Sequence, residues 1–336
     1  MLTPTDILRL PYTPDLTQSG IEYACRSLNH VSGRAGSAPF SRLRRSVAGV
    51  AVELAFRRFL TEQAVPFKVR ADTPFSEPDR YNVTLGGHRC EVKCYLITRR
   101  PQITAIRQDP TLLLGAPALI PADQFSTDSR SDTDLYLFAF LSGLVAAAQD
   151  DIRKAIHAGQ PLCLVHALPP EWSHPQDWSP LDLVVKSDDE APLELEVGGQ
   201  DAGREYITER VALPPQGRVE LTSPFHSVAC LHIAQPLHGR LALFSAARGE
   251  TYLVPPLDWG NIWVYGMEIW LAGYMPHEEF RRRASFVEQG SQVFQYRETH
   301  TRNLAVPIAD LHPLGELIDL LRPSAGPPQA SPFPTP

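Results

Sequence analysis

The chain has 336 residues, a length that suits about two domains of ordinary size. Hydrophobic residues make up 43% of the sequence and charged residues 21%, which excludes a disordered or fibrous protein. The net charge of -7 argues against a protein that coats nucleic acid with a generally basic surface. No run of about 18 apolar residues is present, so we expect no membrane span. Five cysteines do not form a disulfide framework, and with an N-terminus unlike a signal peptide they predict a reduced, cytoplasmic protein.

The first half of the chain predicts a helix followed by three strands. Apolar residues at helical spacing predict a helix over Ser41–Gln63. Alternating apolar residues predict strands over 65–71, 79–85 and 88–97. Gly86 and Gly87 join the last two strands as a hairpin, because both central positions of a type I′ turn need positive φ.

Three further elements complete this half. After a linker, the sequence predicts a buried strand over 134–141, a helix over 147–158 and another buried strand over 161–167. The order indicates an α/β or α+β domain with a mixed sheet. We place this domain at 1–170.

The second half predicts a mainly-β domain at 171–322. Short strands separated by proline or glycine turns fill 203–256, and a helix is predicted over 277–290. An aromatic cluster between Trp259 and Tyr274 either stacks on nucleotide bases or fills a β core. Residues 323–336 contain six prolines and are predicted to be a disordered tail.

The hairpin carries the residues with the most specific chemistry. Glu91 and Lys93 are two apart on one strand, so they face the same side of the sheet. Asp79 is on the partner strand, and Glu53 joins them if its helix packs over the sheet. Together with the backbone carbonyl of Val92, these carboxylates predict a hard-oxygen site for Mg²⁺ or Mn²⁺.

This arrangement resembles the PD-(D/E)XK nuclease superfamily. The resemblance rests on a glutamate in the preceding helix, on Pro78-Asp79 and, after eleven intervening residues, on Glu91-Val92-Lys93. It covers about 40–170, less than half of the chain. It implies a restriction-endonuclease-like αβββαβ core with a mixed sheet, placed before the mainly-β domain.

The resemblance also implies roles for the site residues. Asp79 and Glu91 match the metal ligands, Lys93 matches the catalytic lysine, and Glu53 matches the helix glutamate of many members. The expected activity is metal-dependent hydrolysis of phosphodiester bonds in nucleic acid, with DNA as the expected substrate and internal rather than terminal cutting. Many members act as dimers, which leaves a homodimer open.

Charge distribution points to the same part of the chain. Residues 26–107 contain 15 basic and six acidic residues, a balance of +9, so the remainder carries -16. A phosphate backbone is attracted to such a segment. The arginines predicted to contact it are Arg42, Arg44, Arg45, Arg99 and Arg100. The alternative is that these arginines solvate a helix and pair with the acidic second half.

Two other functions remain open from the sequence. The first domain could be a non-cleaving nucleic-acid-binding or protein-interaction module with a degenerate nuclease fold. Glu91 and Lys93 would then be an ion pair on an exposed strand face, and Asp79 an ordinary turn residue. In a third interpretation the mainly-β domain carries the function and the first half only stabilises it.

Overall fold

The structure of the chain is a computed structural model. It describes residues 2–28, 39–69, 82–127, 131–145, 149–159, 162–261 and 265–322. Asp79 and the predicted tail at 323–336 lie outside these ranges. Within them, no helix is both long and apolar enough to cross a membrane.

Eight α-helices and 18 strands form in the described residues. The helices are α1 Pro14–Leu28, α2 Pro39–Glu62, α3 Arg100–Gln108, α4 Ala122–Thr127, α5 Gln149–His157, α6 Pro170–Ser173, α7 His277–Arg283 and α8 Leu314–Leu321. The strands are β1 Leu8–Leu10, β2 Phe67–Val69, β3 Asn82–Leu85, β4 His88–Ile97, β5 Pro117–Pro121, β6 Leu135–Leu144, β7 Leu164–Ala167, β8 Leu183–Ser187, β9 Leu193–Gln200, β10 Tyr206–Leu213, β11 Arg218–Glu220, β12 Ser227–Ile233, β13 Leu241–Ser245, β14 Glu250–Val254, β15 Gly260–Asn261, β16 Tyr265–Pro276, β17 Ser285–Val287 and β18 Asn303–Pro307.

The largest sheet has six strands in the order β1-β16-β6-β4-β3-β2. Strands β2, β3 and β4 form an antiparallel meander, whereas β4 and β6 are parallel. The other two strands, β16 and β1, extend the sheet in antiparallel fashion. A parallel neighbour requires a crossover connection, and the chain between β4 and β6 supplies one with α3, β5 and α4. The predicted mixed sheet in an α/β region is therefore confirmed.

The predicted hairpin turn is present between β3 and β4. Gly86 and Gly87 have φ values of 56° and 89°, a conformation that glycine adopts without the steric penalty of a Cβ atom. Leu85 then lies opposite His88, which fixes the register of both strands. The local sequence is sufficient to specify this hairpin.

Alternation along β4 divides its side chains between two cores. Cys90 and Val92 pack with α1 and α2 on one face of the sheet. Tyr95 packs on the other face, in a core that includes residues of α3, β5 and β18. Since side chains alternate along a strand, Glu91 and Lys93 point to the face of Tyr95. This face holds the candidate site.

The second region consists mostly of antiparallel sheets, as predicted. A five-stranded sheet runs β10-β9-β12-β7-β15, and a four-stranded sheet runs β11-β8-β13-β14. Their apolar residues form one shared core. A three-stranded sheet, β17-β18-β5, covers the face of the largest sheet that bears Tyr95.

Strand pairing crosses the predicted domain boundary at residue 170. Strand β7 precedes this position but pairs with β12 and β15. Strand β16 follows it but pairs with β6 and β1. The division into 1–170 and 171–322 stays a prediction about folding units, while the sheets themselves combine strands from both sides of it.

Several stretches differ from the predicted secondary structure, and two of them have a clear physical reason. The stretch interpreted as a linker contains α3, a helix of nine residues in which only Ile103 and Ile106 are buried, so its apolar pattern is short. The helix predicted over 277–290 ends at Arg283, because Ser285 begins a strand that pairs with β18. In the second case sheet pairing overrides a local helical pattern.

Candidate active site

The centre of the candidate site is an ion pair on β4. Lys93 Nζ donates a hydrogen bond to Glu91 Oε1 at 2.6 Å. Their side chains are only 14% and 12% exposed, so the pair is largely withdrawn from water. A second contact joins Lys93 Nζ to Gln124 Oε1 of α4 at 3.4 Å. The two residues share one face of the strand, as their spacing predicted.

Lysine at this position stands out against the rest of the chain. Only four of the 31 basic residues are lysines, and the other three, Lys68, Lys154 and Lys186, are exposed. A lysine ammonium is a compact donor with three hydrogens, whereas a guanidinium is planar and always charged. A largely buried ammonium beside a carboxylate can serve a reaction as a hydrogen-bond donor and as a positive charge.

The strand beyond Glu91 has a described neighbour on one side only. Strand β3 pairs with β4 from Leu85 opposite His88 to Asn82 opposite Glu91. From Val92 to the end of β4, the described pairing is with β6 alone. Lys93 thus lies two residues beyond the last described pair of β3 and β4.

Glu53 lies on α2 and is 4% exposed. It forms an ion pair with Arg57, one helical turn further along. Burial raises the pKa of Glu53 to about 7 and outweighs the opposing effect of Arg57. Helix α2 packs on the face of β4 opposite to the Glu91 and Lys93 side chains. Packing of this helix over the sheet is as predicted, but it places Glu53 in a different layer from the ion pair of β4.

The raised pKa of Glu53 predicts a pH-dependent stability. The folded protein holds a proton that the unfolded chain releases between pH 4.5 and about 7. The free energy of unfolding therefore falls as pH rises through this window, by at most about 3 kcal/mol. In EDTA, Glu53→Gln is expected to match the wild type near pH 5 and to be more stable near pH 8. Thermal melts at both pH values measure this difference.

A second carboxylate variant serves as the control for this prediction. Glu62 is an exposed residue of the same helix, and Glu62→Gln is expected to shift the melting temperature equally at both pH values. A Glu53→Gln melting profile parallel to that of the wild type from pH 5 to 8 would contradict the raised pKa.

The predicted metal site is only partly within the described residues. Glu91 contributes one carboxylate on the face of Lys93, while Asp79 lies outside the described ranges. Among the described histidine, cysteine, aspartate and glutamate residues, no group of three is placed to hold a metal ion. Glu91 is the right type of ligand for Mg²⁺, but the described part of the chain does not complete such a site.

The predicted phosphate-binding arginines occupy different environments. Arg44 is half-buried, and burial lowers its pKa, whereas Arg45 and Arg100 are exposed. Arg99 donates a hydrogen bond to the backbone carbonyl of Phe294 at 2.9 Å, so it joins α3 to a distant segment of the chain. The side chain of Arg42 lies outside the described part of the chain.

Two members of the aromatic cluster belong to the protein interior. Trp259 is 8% exposed in the core of the second region, and Trp270 is 5% exposed in the core beneath β16. Tyr274 is half-buried. These rings fill cores, which is one of the two roles considered from the sequence. The side chains of Trp263 and Tyr265 lie outside the described residues.

Sequence reasoning missed Gln124, which contacts Lys93, and Arg297, which lines a groove together with Arg99 and Arg100. Gln124 comes from α4, in the stretch interpreted as a linker, and Arg297 comes from a segment far along the chain. No local pattern marks either residue, since each reaches this face only through the tertiary fold.

Comparisons of this chain with protein-family models, with curated proteins and with solved structures found no match.

Proposed function

We propose that the protein is a metal-dependent nuclease that hydrolyses phosphodiester bonds, with DNA as its substrate. The observation that carries the proposal is the Glu91–Lys93 pair on a central strand of a mixed sheet, largely withdrawn from water. A carboxylate and an ammonium in this arrangement suit a reaction in which negative charge develops on a phosphoryl group.

The topology around this pair supports the proposal that the first region has a restriction-endonuclease-like core. The elements α2, β2, β3, β4, α3 and β6 follow one another in the order αβββαβ when β5 and α4 are counted as part of the crossover. The first three strands form an antiparallel meander, and the fourth is parallel to its neighbour β4. Strand β6 takes the last place in this unit, whereas β7, which the sequence suggested, belongs to another sheet.

Within this proposal each residue has a defined task. Hydrolysis forms a bond between a water oxygen and phosphorus and breaks a phosphorus–oxygen bond of the backbone. Lys93 would hold the attacking water or neutralise the transition-state charge, and Glu91 fixes the orientation of the ammonium. A divalent ion, when bound by Glu91 and Asp79, would polarise a phosphoryl oxygen and lower the pKa of a bound water.

Cleavage assays on two forms of DNA test the proposal. Supercoiled plasmid and circular single-stranded DNA are incubated with the protein in Mg²⁺, Mn²⁺ or EDTA. We expect metal-dependent cutting that EDTA abolishes and that Asp79→Ala loses. Asp177→Ala removes an exposed carboxylate from the second region and is the matched control, expected to cut like the wild type.

Two outcomes would contradict the nuclease. Equal activity in the wild type and Asp79→Ala would assign the cutting to a contaminant. Salt-sensitive DNA binding without cutting in either metal would instead support the non-cleaving module.

A further inference from the structure

A basic groove opens on the face of the sheet that bears Glu91 and Lys93. It has a volume of about 720 Å³ and lies between the start of α3 and the segment 293–297. Its lining includes three guanidinium groups and two apolar side chains, those of Arg99, Arg100, Arg297, Val293 and Phe294. None of the described residues that line it is acidic. Such a lining attracts an anion with an apolar part.

One wall of the groove is held rigidly by hydrogen bonds. Val293 and Tyr296 exchange backbone hydrogen bonds of 3.1 and 3.2 Å, which close a tight turn around Phe294 and Gln295. The Phe294 carbonyl accepts from Arg99 Nη2, and Gln295 Nε2 donates to a carbonyl of β5 at 2.6 Å. Arg99 is therefore a positioning residue for the groove.

Two exposed arginines carry the other positive charges of the groove lining. Arg100 and Arg297 are exposed, and they come from segments almost 200 residues apart in the sequence. Two separate segments thus place positive charge around one depression.

The groove also lies within reach of the candidate active site. Tyr95 follows Lys93 on the same face of β4, and its ring is 6.4 Å from that of Tyr296, next to the groove. Arg99 is six positions after Lys93, so their Cα atoms are at most about 20 Å apart. At the duplex spacing of about 3.4 Å per nucleotide, roughly six nucleotides span this distance, and an extended single strand needs fewer.

We propose that this groove binds a single nucleic-acid strand that continues from the candidate active site, with a phosphate on Arg100 and Arg297 and a base on Phe294. The proposal rests on the nuclease function only where it states that the strand continues from the candidate active site into the groove. A cationic groove beside an aromatic ring suits single-stranded nucleic acid, in which bases are free to stack on protein. The groove has the volume of a small-molecule pocket, whereas duplex DNA requires a wider surface.

Binding of fluorescein-labelled oligothymidylate of 15 nucleotides, followed by anisotropy in EDTA, tests the groove apart from cleavage. The variant Arg100→Ala/Arg297→Ala is compared with Arg218→Ala/Arg282→Ala, which removes two exposed arginines elsewhere. We expect the groove variant to bind at least tenfold more weakly than the wild type. Its slope of log affinity against log salt should fall by about 0.7, because one neutralised phosphate is lost. Phe294→Ala should weaken binding with no change in slope.

The outcomes separate this inference from the nuclease proposal. The proposed groove would be overturned if the groove and control variants bound the oligonucleotide equally, or if the wild type did not bind it. An equal loss of binding to a duplex of the same length would overturn the single-strand assignment. Groove-dependent binding by a protein that cuts no DNA would support the groove and contradict the nuclease. If the groove variant binds the oligonucleotide like the wild type and the protein cuts DNA in a metal-dependent way, the groove is contradicted and the nuclease is supported.

Discussion

Replacement of Lys93 by alanine is expected to lower the rate of metal-dependent DNA cleavage about 10³-fold, which corresponds to about 4 kcal/mol of activation free energy. The ammonium bonded to Glu91 is the catalytic cation in the proposed mechanism, and no other described lysine is withdrawn from water. Lys93→Arg is expected to restore little of this rate, because a planar guanidinium is larger and cannot place its donors where the compact ammonium places them. Single-turnover cleavage of a labelled DNA in Mg²⁺ measures both variants.

Folding of the variants is checked independently of activity. Lys93→Met keeps most of the side-chain volume, and we expect the same loss of cleavage with a melting temperature close to that of Lys93→Ala. Lys154→Ala removes an exposed lysine and should cut like the wild type. Cleavage by the Lys93→Ala variant at more than a tenth of the wild-type rate would show that the catalytic group lies elsewhere.

Loss of the Tyr95 hydroxyl is expected to cost about 3 to 4 kcal/mol of unfolding free energy. This hydroxyl donates to the Leu119 carbonyl at 2.8 Å and accepts from the Leu119 N–H at 2.5 Å. Strand β5 is an edge strand that pairs with β18 on one side. On its other side, the Tyr95 hydroxyl satisfies the backbone N–H and carbonyl of Leu119 in place of a neighbouring strand. Burial raises the pKa of Tyr95 well above its ordinary value, which keeps the donor proton in place.

The variant Tyr95→Phe leaves both backbone groups of Leu119 buried without these hydrogen bonds. Each unsatisfied group costs about 1 to 3 kcal/mol, so the two together account for the expected effect. Tyr274→Phe is the matched control, since no hydrogen bond is described for its half-buried hydroxyl, and we expect a change below about 0.5 kcal/mol. Denaturant unfolding of both variants provides the measurement, and equal stability of the two would contradict the role assigned to Tyr95.

The sequence was most informative where structure is local. Gly86 and Gly87 specify a two-residue hairpin because few other residues adopt the required φ values. The spacing of Glu91 and Lys93 assigns them to one face because strand side chains alternate. The helix predicted at Ser41–Gln63 agrees with α2 to within two residues, since its apolar positions repeat over several turns.

Short elements and long-range pairings were less predictable. Helix α3 carries only two buried apolar residues, so its pattern is too brief to distinguish it from a loop. The packing of α2 over the sheet was anticipated, but the separation of Glu53 from Glu91 into different layers depends on which face the helix covers. A sequence pattern contains no record of that choice.

By itself, the sequence determined the hairpin, the common face of Glu91 and Lys93, and the presence of an α/β region followed by a mostly antiparallel β region. Each of these follows from backbone geometry or periodicity over a few residues. The tertiary structure alone decided that β16 joins the sheet of β4 and that Arg297 meets Arg99 across a groove. Contacts between such distant segments arise from packing of the whole chain, which one sequence does not encode in any local pattern.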